Sequence, residues 1–444
     1  MTDGIVPTYE QRFPQVFHQS LWKRFMPLFV VIGVALYFVY AVWFFSLPTV
    51  LAEAKWDRLG NYLQQWVSFD VSPEFRLDSG AAIVPKFNRN SALGPDPHPE
   101  WITTNGDGSL TVELNGASHS VRFTKSAATI TRDGESVDIA IGASAARVLT
   151  NPVPDWVRIK GDEINADMGF VGDVRIAYDR IKVRKRTLGW PNFLFDPYSP
   201  FFGKSAGEVA SLIVSGPELK PGTSNLALAW DNIWNNSQWQ HGDVWIKLLQ
   251  TIVMAFAGTL VGGLVAFPLA FFAARNITRN QLLNQVLKRL FDFLRSVDML
   301  IWALFFTRAF GPGPLAGIGA IAFTETGTLG KLYAEGLENI DDKQREGVTS
   351  VGADPVSVQR YGVIPQVLPV MISQTLYQWE SNTRSASIIG AVGAGGIGLK
   401  LWEAMRTNSN WSNVFYMVLL ILLVVFIFDN ISNALRTRLI GKSH

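Results

Sequence analysis

The chain has 444 residues, of which 48% are hydrophobic and only 17% are charged. That composition is too apolar for an ordinary soluble protein of two or three domains and indicates a membrane protein. A formal net charge of +2 gives no reason to expect nucleic acid as a partner. Cysteine is absent and the five histidines are scattered, so disulfides and cysteine zinc sites are excluded and no metal site is expected.

About six transmembrane helices are expected. The uncharged run from Phe25 to Phe45 would extend roughly 30 Å as a helix, the thickness of the hydrocarbon core. Further uncharged runs cover 248–274 and 411–428, and weaker spans lie near 287–310, 313–333 and 366–399. Ala52-Glu53-Ala54 offers a signal-peptidase pattern, but a signal core has only about 7–15 apolar residues, so the first span is interpreted as an uncleaved anchor.

Basic residues set the predicted orientation. Arg12, Lys23 and Arg24 precede the first span, and other basic groups follow the second and the last spans. By the positive-inside rule, both termini are cytoplasmic. The predicted regions are a cytoplasmic N-terminus at 1–24, a first transmembrane helix at 25–47, an extracytoplasmic inserted domain at 48–243, a transmembrane domain at 244–435 with a cytoplasmic loop at about 335–365, and a cytoplasmic tail at 436–444.

The inserted domain is expected to contain β strands. Apolar and polar residues alternate in four consecutive segments with short breaks, as in an antiparallel meander. These segments are Ser109 to Asn115, Ser118 to Thr124, Ala127 to Arg132 and Glu135 to Ile141. Tryptophans before position 200 are assigned first to a hydrophobic core, and later ones such as Trp239 first to a membrane interface. The basic segment 180–186 is either a binding patch or a solvated strand.

A short cytoplasmic helix is predicted in the loop after the fourth span. Asp341 and Gln344 have the spacing of a capping box, Gly352 suits a helix C-terminus, and Pro355 disfavours continuation. Such a helix of about ten residues would be roughly 15 Å long, enough to fill a groove on a partner. A generic amphipathic connector is the alternative. The loop residues of interest are Glu346, Gly347, Gly352, Asp354, Pro355, Ile364 and Pro365.

Two nucleotide-like motifs are dismissed. Gly203-Lys204-Ser205 copies the end of a P-loop, but Tyr198 stands where the first glycine belongs, so the chain is not expected to hydrolyse ATP itself. The run from Gly393 to Gly398 has dinucleotide-binding spacing yet follows a membrane helix. Close packing or a bend near a translocation path suits it better. The pair Gly258 and Gly262 is assigned to helix packing.

Several segments from about 245 to 439 carry a family resemblance. They are Leu249 to Ala255, Arg295 to Asp298, Trp302 to Leu304, Gly330 to Glu335, Pro365 to Pro369, Glu380 to Ala386, and the glycine run. Together they resemble the permease subunit of phosphonate ABC importers, the PhnE family. The loop around Glu346 resembles the cytoplasmic Glu-Ala-Ala loop of such permeases, with Gly347-Val348 in place of Ala-Ala. In that family the loop's short helix enters a groove on an ATPase subunit, so the resemblance implies that the loop residues named above couple the chain to an ATPase.

The resemblance implies a polytopic α-helical membrane protein with an ABC type I importer permease fold in the bacterial cytoplasmic (inner) membrane. It implies ATP-driven import of a phosphonate or related oxyanion delivered by an extracytoplasmic binding protein. Two ATPase subunits would hold ATP and Mg, this chain would bind no cofactor, and a second permease, identical or paralogous, would complete the pathway. The hypothetical pathway residues are Glu380, Arg384, Gly393, Gly395, Gly396 and Gly398.

Two alternatives from other classes remain. An ion-coupled secondary carrier would transport without an ATPase, but the layout shows none of the related halves usual for such carriers. A membrane-anchored sensor or scaffold would bind through the 48–243 domain. That reading leaves the cytoplasmic loop and the charged span around Glu380 unexplained.

Overall fold

The computed structural model describes residues 21–54, 56–77, 83–88, 91–94, 97–407 and 411–440. The chain divides into two compact units, one ending at Leu63 and the other beginning at Gln64. Most of the predicted N-terminal segment 1–24 and the end of the predicted tail lie outside the described residues. The first helices are α1 at Leu21–Phe44, α2 at Leu47–Glu53 and α3 at Trp56–Gln65.

Two antiparallel sheets form most of the inserted region. The first has the order β10-β11-β12-β13-β2-β3 with β1 also on β13, and the second is the meander β4 to β9. The strands are β1 Ser68–Val71, β2 Glu74–Arg76, β3 Pro85–Lys86, β4 Ile102–Thr104, β5 Leu110–Asn115, β6 His119–Phe123, β7 Ala127–Arg132, β8 Glu135–Ile141, β9 Ala146–Val148, β10 Val157–Lys160, β11 Glu163–Asp167, β12 Gly172–Ile176 and β13 Arg180–Leu188; a 3₁₀ turn spans Gly169–Val171.

The two sheets pack face to face around one hydrophobic core. Inward residues alternate along each strand, as in β8 with its buried Val137, Ile139 and Ile141. Phe75 of the first sheet meets Phe123 of the second edge to face, with ring centroids 4.9 Å apart. The prediction of β strands is confirmed, and all four predicted segments correspond to β5 through β8 within one residue.

The basic segment on β13 is occupied by internal contacts. Arg186 is buried and pairs with Asp70, with Nε 2.9 Å from Oδ1. Arg184 pairs with Asp173. Lys185 donates from Nζ to the Glu113 carbonyl oxygen at 2.9 Å, and burial lowers the pKa of Lys185. These contacts stabilise the two packed sheets, so the basic segment is not a fully solvated strand.

Helices make up the remainder of the second unit. They are α4 Ala206–Ser215, α5 Asn225–Trp234, α6 His241–Ala273, α7 Gln281–Ser296, α8 Met299–Phe310, α9 Pro314–Glu338, α10 Asp342–Ser350, α11 Pro355–Ser357, α12 Ile364–Ile389, α13 Gly396–Thr407 and α14 Trp411–Ile440. Two π-helical turns, Val358–Val363 and Gly390–Ala394, flank α12.

Three described helices are long and apolar enough to cross a membrane: Phe25–Phe44 within α1, α6, and Trp411–Leu439 within α14. A fourth arises if α12 and α13 are counted as one span, bent by 59°. The predicted span 287–310 is divided between α7 and α8, because Asp298 caps a new helix by accepting a hydrogen bond from Leu300 N at 2.8 Å. The predicted span 313–333 corresponds to α9, and the total of six remains a prediction.

The tryptophan assignment fails at two positions. Trp239, expected at an interface, is 4% exposed and donates from Nε1 to the Pro191 carbonyl oxygen at 2.9 Å. Its ring packs with Trp190 and Phe193, and with Tyr416 near the start of α14. Trp56, expected in a core, is 59% exposed. The partners of Trp239 are distant in sequence, so no local pattern reported its burial.

Candidate coupling loop and translocation site

Helix α10 begins and ends where the sequence predicts, but its N-terminal cap is a bond from Lys343 N to Asp341 and not the predicted capping box with Gln344. Asp341 caps it by accepting a hydrogen bond from Lys343 N at 3.0 Å, and the helix ends at Ser350. Gly352 has φ of 83°, a left-handed conformation that favours glycine, and its N–H donates to the Thr349 carbonyl oxygen. Glu346 and Gly347 are exposed on this helix. The exposed segment Asp342–Ser350 is called the coupling helix below.

A second turn follows the coupling helix directly. Asp354 caps it, with Oδ1 accepting from the Ser357 hydroxyl at 2.6 Å and Oδ2 accepting from Val356 N at 3.2 Å. The Ser357 hydroxyl and backbone N–H bonds lower the pKa of the Asp354 carboxyl group. Pro355 occupies the first turn of α11, where a proline costs no hydrogen bond, and Pro365 stands likewise at the start of α12 after Ile364.

The coupling helix rests on the backbone that leads into α12. Gly362 is buried in the π-helical turn, and a Cβ atom there would lie 3.4 Å from Arg345 Cα and 3.5 Å from the Val348 side chain. Any larger side chain would separate the two segments. The glycine therefore permits direct contact between the coupling helix and the start of α12.

A polar network joins the coupling helix to three other helices. Arg345 donates from Nη1 to the Asn276 carbonyl oxygen at 3.0 Å, and Asn276 donates from Nδ2 to the Leu337 carbonyl oxygen at 2.7 Å. Beside it, Glu338 accepts from Arg275 N at 2.8 Å and from Lys288 Nζ at 2.6 Å. The ends of α6 and α9 and the first half of α7 are thus tied to the loop. The sequence analysis missed this network because its members are far apart in the chain.

Gly362→Leu is expected to detach the coupling helix from α12, because the leucine side chain needs space now filled by Arg345 and Val348. Trypsin should then cleave after Lys343 and Arg345 at least about tenfold faster in the assembled protein. Gly347→Leu is the matched control, since a Cβ atom there meets nothing within 4 Å. Equal cleavage rates for both variants would contradict the packing role of Gly362.

The glycine run forms the bend between α12 and α13. Gly393, Gly395 and Gly396 have φ of 102°, 84° and 70°. The bend is fixed to neighbouring helices, because Ile397 N donates to Thr251 Oγ1 at 2.9 Å and Gly313 N donates to the Gly393 carbonyl oxygen at 3.0 Å. Gly398 and Gly390 pack against each other. The structure places the predicted glycines together at one helix break.

Glu380 lies between two arginines. Its buried carboxylate is 3.1 Å from Arg384 Nη1 and 3.7 Å from Arg436 Nη2 of α14. The Arg384 side chain is 48% exposed, whereas that of Glu380 is 7% exposed. Arg436 was assigned in the sequence only to the cytoplasmic tail. Two cations around one carboxylate leave excess positive charge beside the exposed Arg384 guanidinium.

A buried polar cluster connects the middle of α6, α9 and α12. Asn382 donates from Nδ2 to Thr259 Oγ1 at 2.9 Å, and Glu325 lies beside them at 3% exposure. Gly258 and Gly262 pack directly on Ile321 and Glu325 of α9. The glycine pair therefore serves packing, as its spacing suggests. Sequence reasoning missed Glu325, although a lone acid within a predicted span is itself a signal.

The P-loop-like tripeptide has a structural use. Ser205 caps α4: its hydroxyl accepts from Glu208 N at 3.3 Å, and the Glu208 carboxylate accepts from Ser205 N at 2.7 Å. Both groups of the capping box are satisfied within the chain.

Comparison with known proteins places this architecture in a family. Residues 266–441 match the model of the binding-protein-dependent transport system inner membrane component. The phosphite transport system permease protein PtxC of Stutzerimonas stutzeri is 37% identical over 193 residues, which are 43% of this chain and 70% of that protein. The chain belongs to the family of binding-protein-dependent transport system inner membrane components. It is thus a permease subunit of the ABC importer class.

Other similarities cover comparable parts of the chain. The phosphate-import permease protein PhnE of Mycolicibacterium smegmatis is 38% identical over 158 residues, which are 36% of this chain and 30% of that protein. Three phosphite permeases of Stutzerimonas stutzeri are matched over 66% to 75% of their lengths. A solved structure of the MetNI methionine ABC transporter in an inward-facing conformation is 19% identical, with a TM-score of 0.42, and covers 46% of this chain and 99% of that one. The β sandwich lies outside the family match.

Proposed function

We propose that this permease subunit carries phosphonates or related phosphorus oxyanions across the membrane and couples their import to ATP hydrolysis on partner subunits. The observation that carries the coupling proposal is the exposed, capped helix Asp342–Ser350, which is tied to the ends of several long helices. The substrate proposal is supported by relatives named as phosphite and phosphate permeases.

The geometry suggests how force would pass through the chain. An ATPase groove that moves the coupling helix would act on α12 through Gly362 and on α6 and α9 through Arg345 and Asn276. Because these contacts are close, the segments would move together as rigid bodies. The exposed side chains of Val351 and Val356 beside the coupling helix give it an apolar surface for docking.

The proposed assembly contains two ATPase subunits that bind ATP and Mg, an extracytoplasmic binding protein, and a second permease that is identical or paralogous. The proposed orientation in the bacterial cytoplasmic membrane has cytoplasmic N- and C-termini and the β sandwich outside. Asp354, Ile364 and Pro365 would lie with Glu346 on the ATPase side. No cofactor is assigned to this chain.

The charged group around Glu380 is the proposed anion-attracting element of the pathway. Arg384 is partly exposed and one helical turn from Glu380, which holds its guanidinium. Charges inside a membrane span are costly unless paired or hydrated, so their presence favours a functional site. The bend at Gly393, Gly395, Gly396 and Gly398 would shape the outer part of the same path.

Gly352→Trp is expected to abolish ATP-dependent uptake of methylphosphonate or phosphite into proteoliposomes containing the complete transporter. A Cβ atom at position 352 meets nothing within 4 Å, so the indole would project outward and obstruct a partner while the chain itself still folds. Strain from the positive φ would add only about 1 kcal/mol. ATPase activity should lose its dependence on the liganded binding protein.

Gly352→Ala distinguishes the effect of backbone strain from the effect of a large side chain. It carries the same backbone strain without the indole, so it should retain most of the uptake. Uptake by this chain alone under an ion gradient would contradict the proposed coupling, and so would full uptake by the tryptophan variant.

A further inference from the structure

A second basic group lies on the surface between α7 and α9, away from Glu380. Asp292 is surrounded by three cations: Lys331 Nζ at 2.7 Å, Arg295 Nε at 3.4 Å and Arg289 Nη1 at 3.7 Å. Three cations around one carboxylate leave excess positive charge. The cluster borders an open cavity of about 540 Å³ lined by Asp292, Arg295, Ser296 and Thr328. This cavity with its charged rim is called the α7–α9 groove.

The groove lies on polar faces of both helices. On α9, Thr324, Thr328 and Lys331 recur at helical spacing, so they share one side. On α7, Arg295 flanks the buried face formed by Leu287, Phe291 and Leu294, and Asp292 lies farther round the helix. The hydroxyl groups of Thr324, Thr328 and Ser296 donate to backbone carbonyl oxygens of their own helices, so the donors that face the groove are those of Lys331 and Arg295.

The groove lies near the inner ends of two predicted spans. Asp292 is close to the start of the predicted span 287–310, and Lys331 is close to the end of 313–333. The excess positive charge of the cluster is therefore open to water or to an anion at the inner side of the proposed pathway.

The scaffold of the groove is rigid. A Cβ atom on Gly327 would lie 2.7 Å from the Phe291 carbonyl oxygen, and one on Gly330 would lie 2.5 Å from the Phe291 ring. The two helices therefore cross at minimal distance, which fixes Asp292 opposite Lys331. The Arg295 side chain is 45% exposed and that of Lys331 is 28% exposed, so both can reach a ligand in the cavity.

We infer that the α7–α9 groove binds a tetrahedral phosphorus oxyanion, with Lys331 and Arg295 as its cationic donors and Asp292 positioning both. Guanidinium and ammonium groups are the charged donors that bind such an anion. The inference rests on the proposed function, for which the groove would be an inner subsite of the pathway. The same chemistry would hold the phosphate of an anionic lipid headgroup.

Uptake kinetics of the complete transporter test this role. Lys331→Gln and Arg295→Gln should each raise the KM for methylphosphonate or phosphite about tenfold, the effect of losing one charge-assisted hydrogen bond, with unchanged assembly. Arg406→Gln, an exposed arginine on α13, is the matched control. If both groove variants behave like the control, the inference is wrong.

A double variant separates binding from simple charge neutralisation. Asp292→Asn/Lys331→Gln leaves neither partner of that pair charged. An anion site predicts that its KM stays raised, because the donor is still missing. A return to the wild-type KM would show that Lys331 only neutralises Asp292 and would overturn the inference.

Chemical protection tests the site independently of transport. In nanodiscs of phosphatidylcholine, phosphite or methylphosphonate should slow the modification of Arg295 by phenylglyoxal, but not that of Arg406, as measured by mass spectrometry. If phosphite or methylphosphonate protects Arg295 in a wild-type complex that shows no uptake, the anion site is supported and the proposed transport function is contradicted. Protection by phosphatidylglycerol, with none from the free anions, would identify a lipid headgroup as the ligand. No protection from either source would overturn the inference.

Discussion

Gly398→Ala is expected to abolish uptake and to reduce the yield of the folded permease several-fold. A Cβ atom at this position would overlap the Ser387 carbonyl oxygen and would lie 3.0 Å from Gly390 Cα. Backbone atoms cannot move aside as a flexible side chain can, so the overpacking should cost about 3 kcal/mol. The helix break between α12 and α13 would open or shift, together with the hydrogen bond from Ile397 N to Thr251.

Gly336→Ala is the matched control, because it adds the same methyl group to a helix where a Cβ atom meets nothing within 4 Å. Alanine also favours helix more than glycine does, so this variant should be at least as stable as the parent. Thermal unfolding in detergent followed by fluorescence size exclusion would compare the two. Equal melting temperatures and equal uptake rates for the two variants would contradict the prediction that close packing at Gly398 is required.

Local signals in the sequence were sufficient for four of the described strands, β5 through β8, and for the coupling helix. Alternation gave β5 through β8 almost to the residue, and the cap at Asp341 with the stop at Gly352 gave the helix between them. Each of these features depends on neighbours within a few positions. Capping and turn chemistry is therefore readable without tertiary information.

Long-range contacts explain what the sequence could not show. Arg436 pairs with the buried Glu380, which lies 56 positions earlier in the chain. Because no local pattern indicates so distant a partner, the sequence placed Arg436 in the cytoplasmic tail. Lys331 of α9 pairs with Asp292 of α7 across 39 positions and so gathers the charges on α7 into one cluster, which no local pattern indicates. The break after Ser296 had a local signal in Asp298, but the apolar residues on both sides of it were assigned to one weak span, 287–310.

The Glu380 group and the α7–α9 groove share a design in which one carboxylate holds more than one cation. A carboxylate that positions arginine or lysine lowers the cost of keeping the cation inside a membrane protein while leaving net positive charge for an anion. We propose that such a group has two separable functions, folding and binding. Variants of the carboxylate and of its cation should therefore fail in different ways.

Glu380→Gln is expected to reduce assembly of the transporter, whereas Arg384→Gln is expected to impair uptake by an assembled transporter. Loss of the carboxylate leaves two neighbouring cations without the buried acid that they share, which favours separation of α12 from α14. Loss of Arg384 leaves Glu380 with Arg436 at 3.7 Å, so folding should be affected less. Because the Arg384 side chain is half-exposed, its removal should mainly raise the KM for the anion, by about tenfold.

The double variant Glu380→Gln/Arg384→Gln completes a double-mutant cycle for this ion pair. If the pair has only a structural role, the double variant should recover both assembly and uptake relative to Glu380→Gln, since one unpaired cation is removed. If Arg384 also attracts the substrate, assembly should recover while the KM remains raised. Unchanged assembly and unchanged KM in both single variants would exclude this pair from the pathway and leave the α7–α9 groove as the basic site beside which an anion could pass.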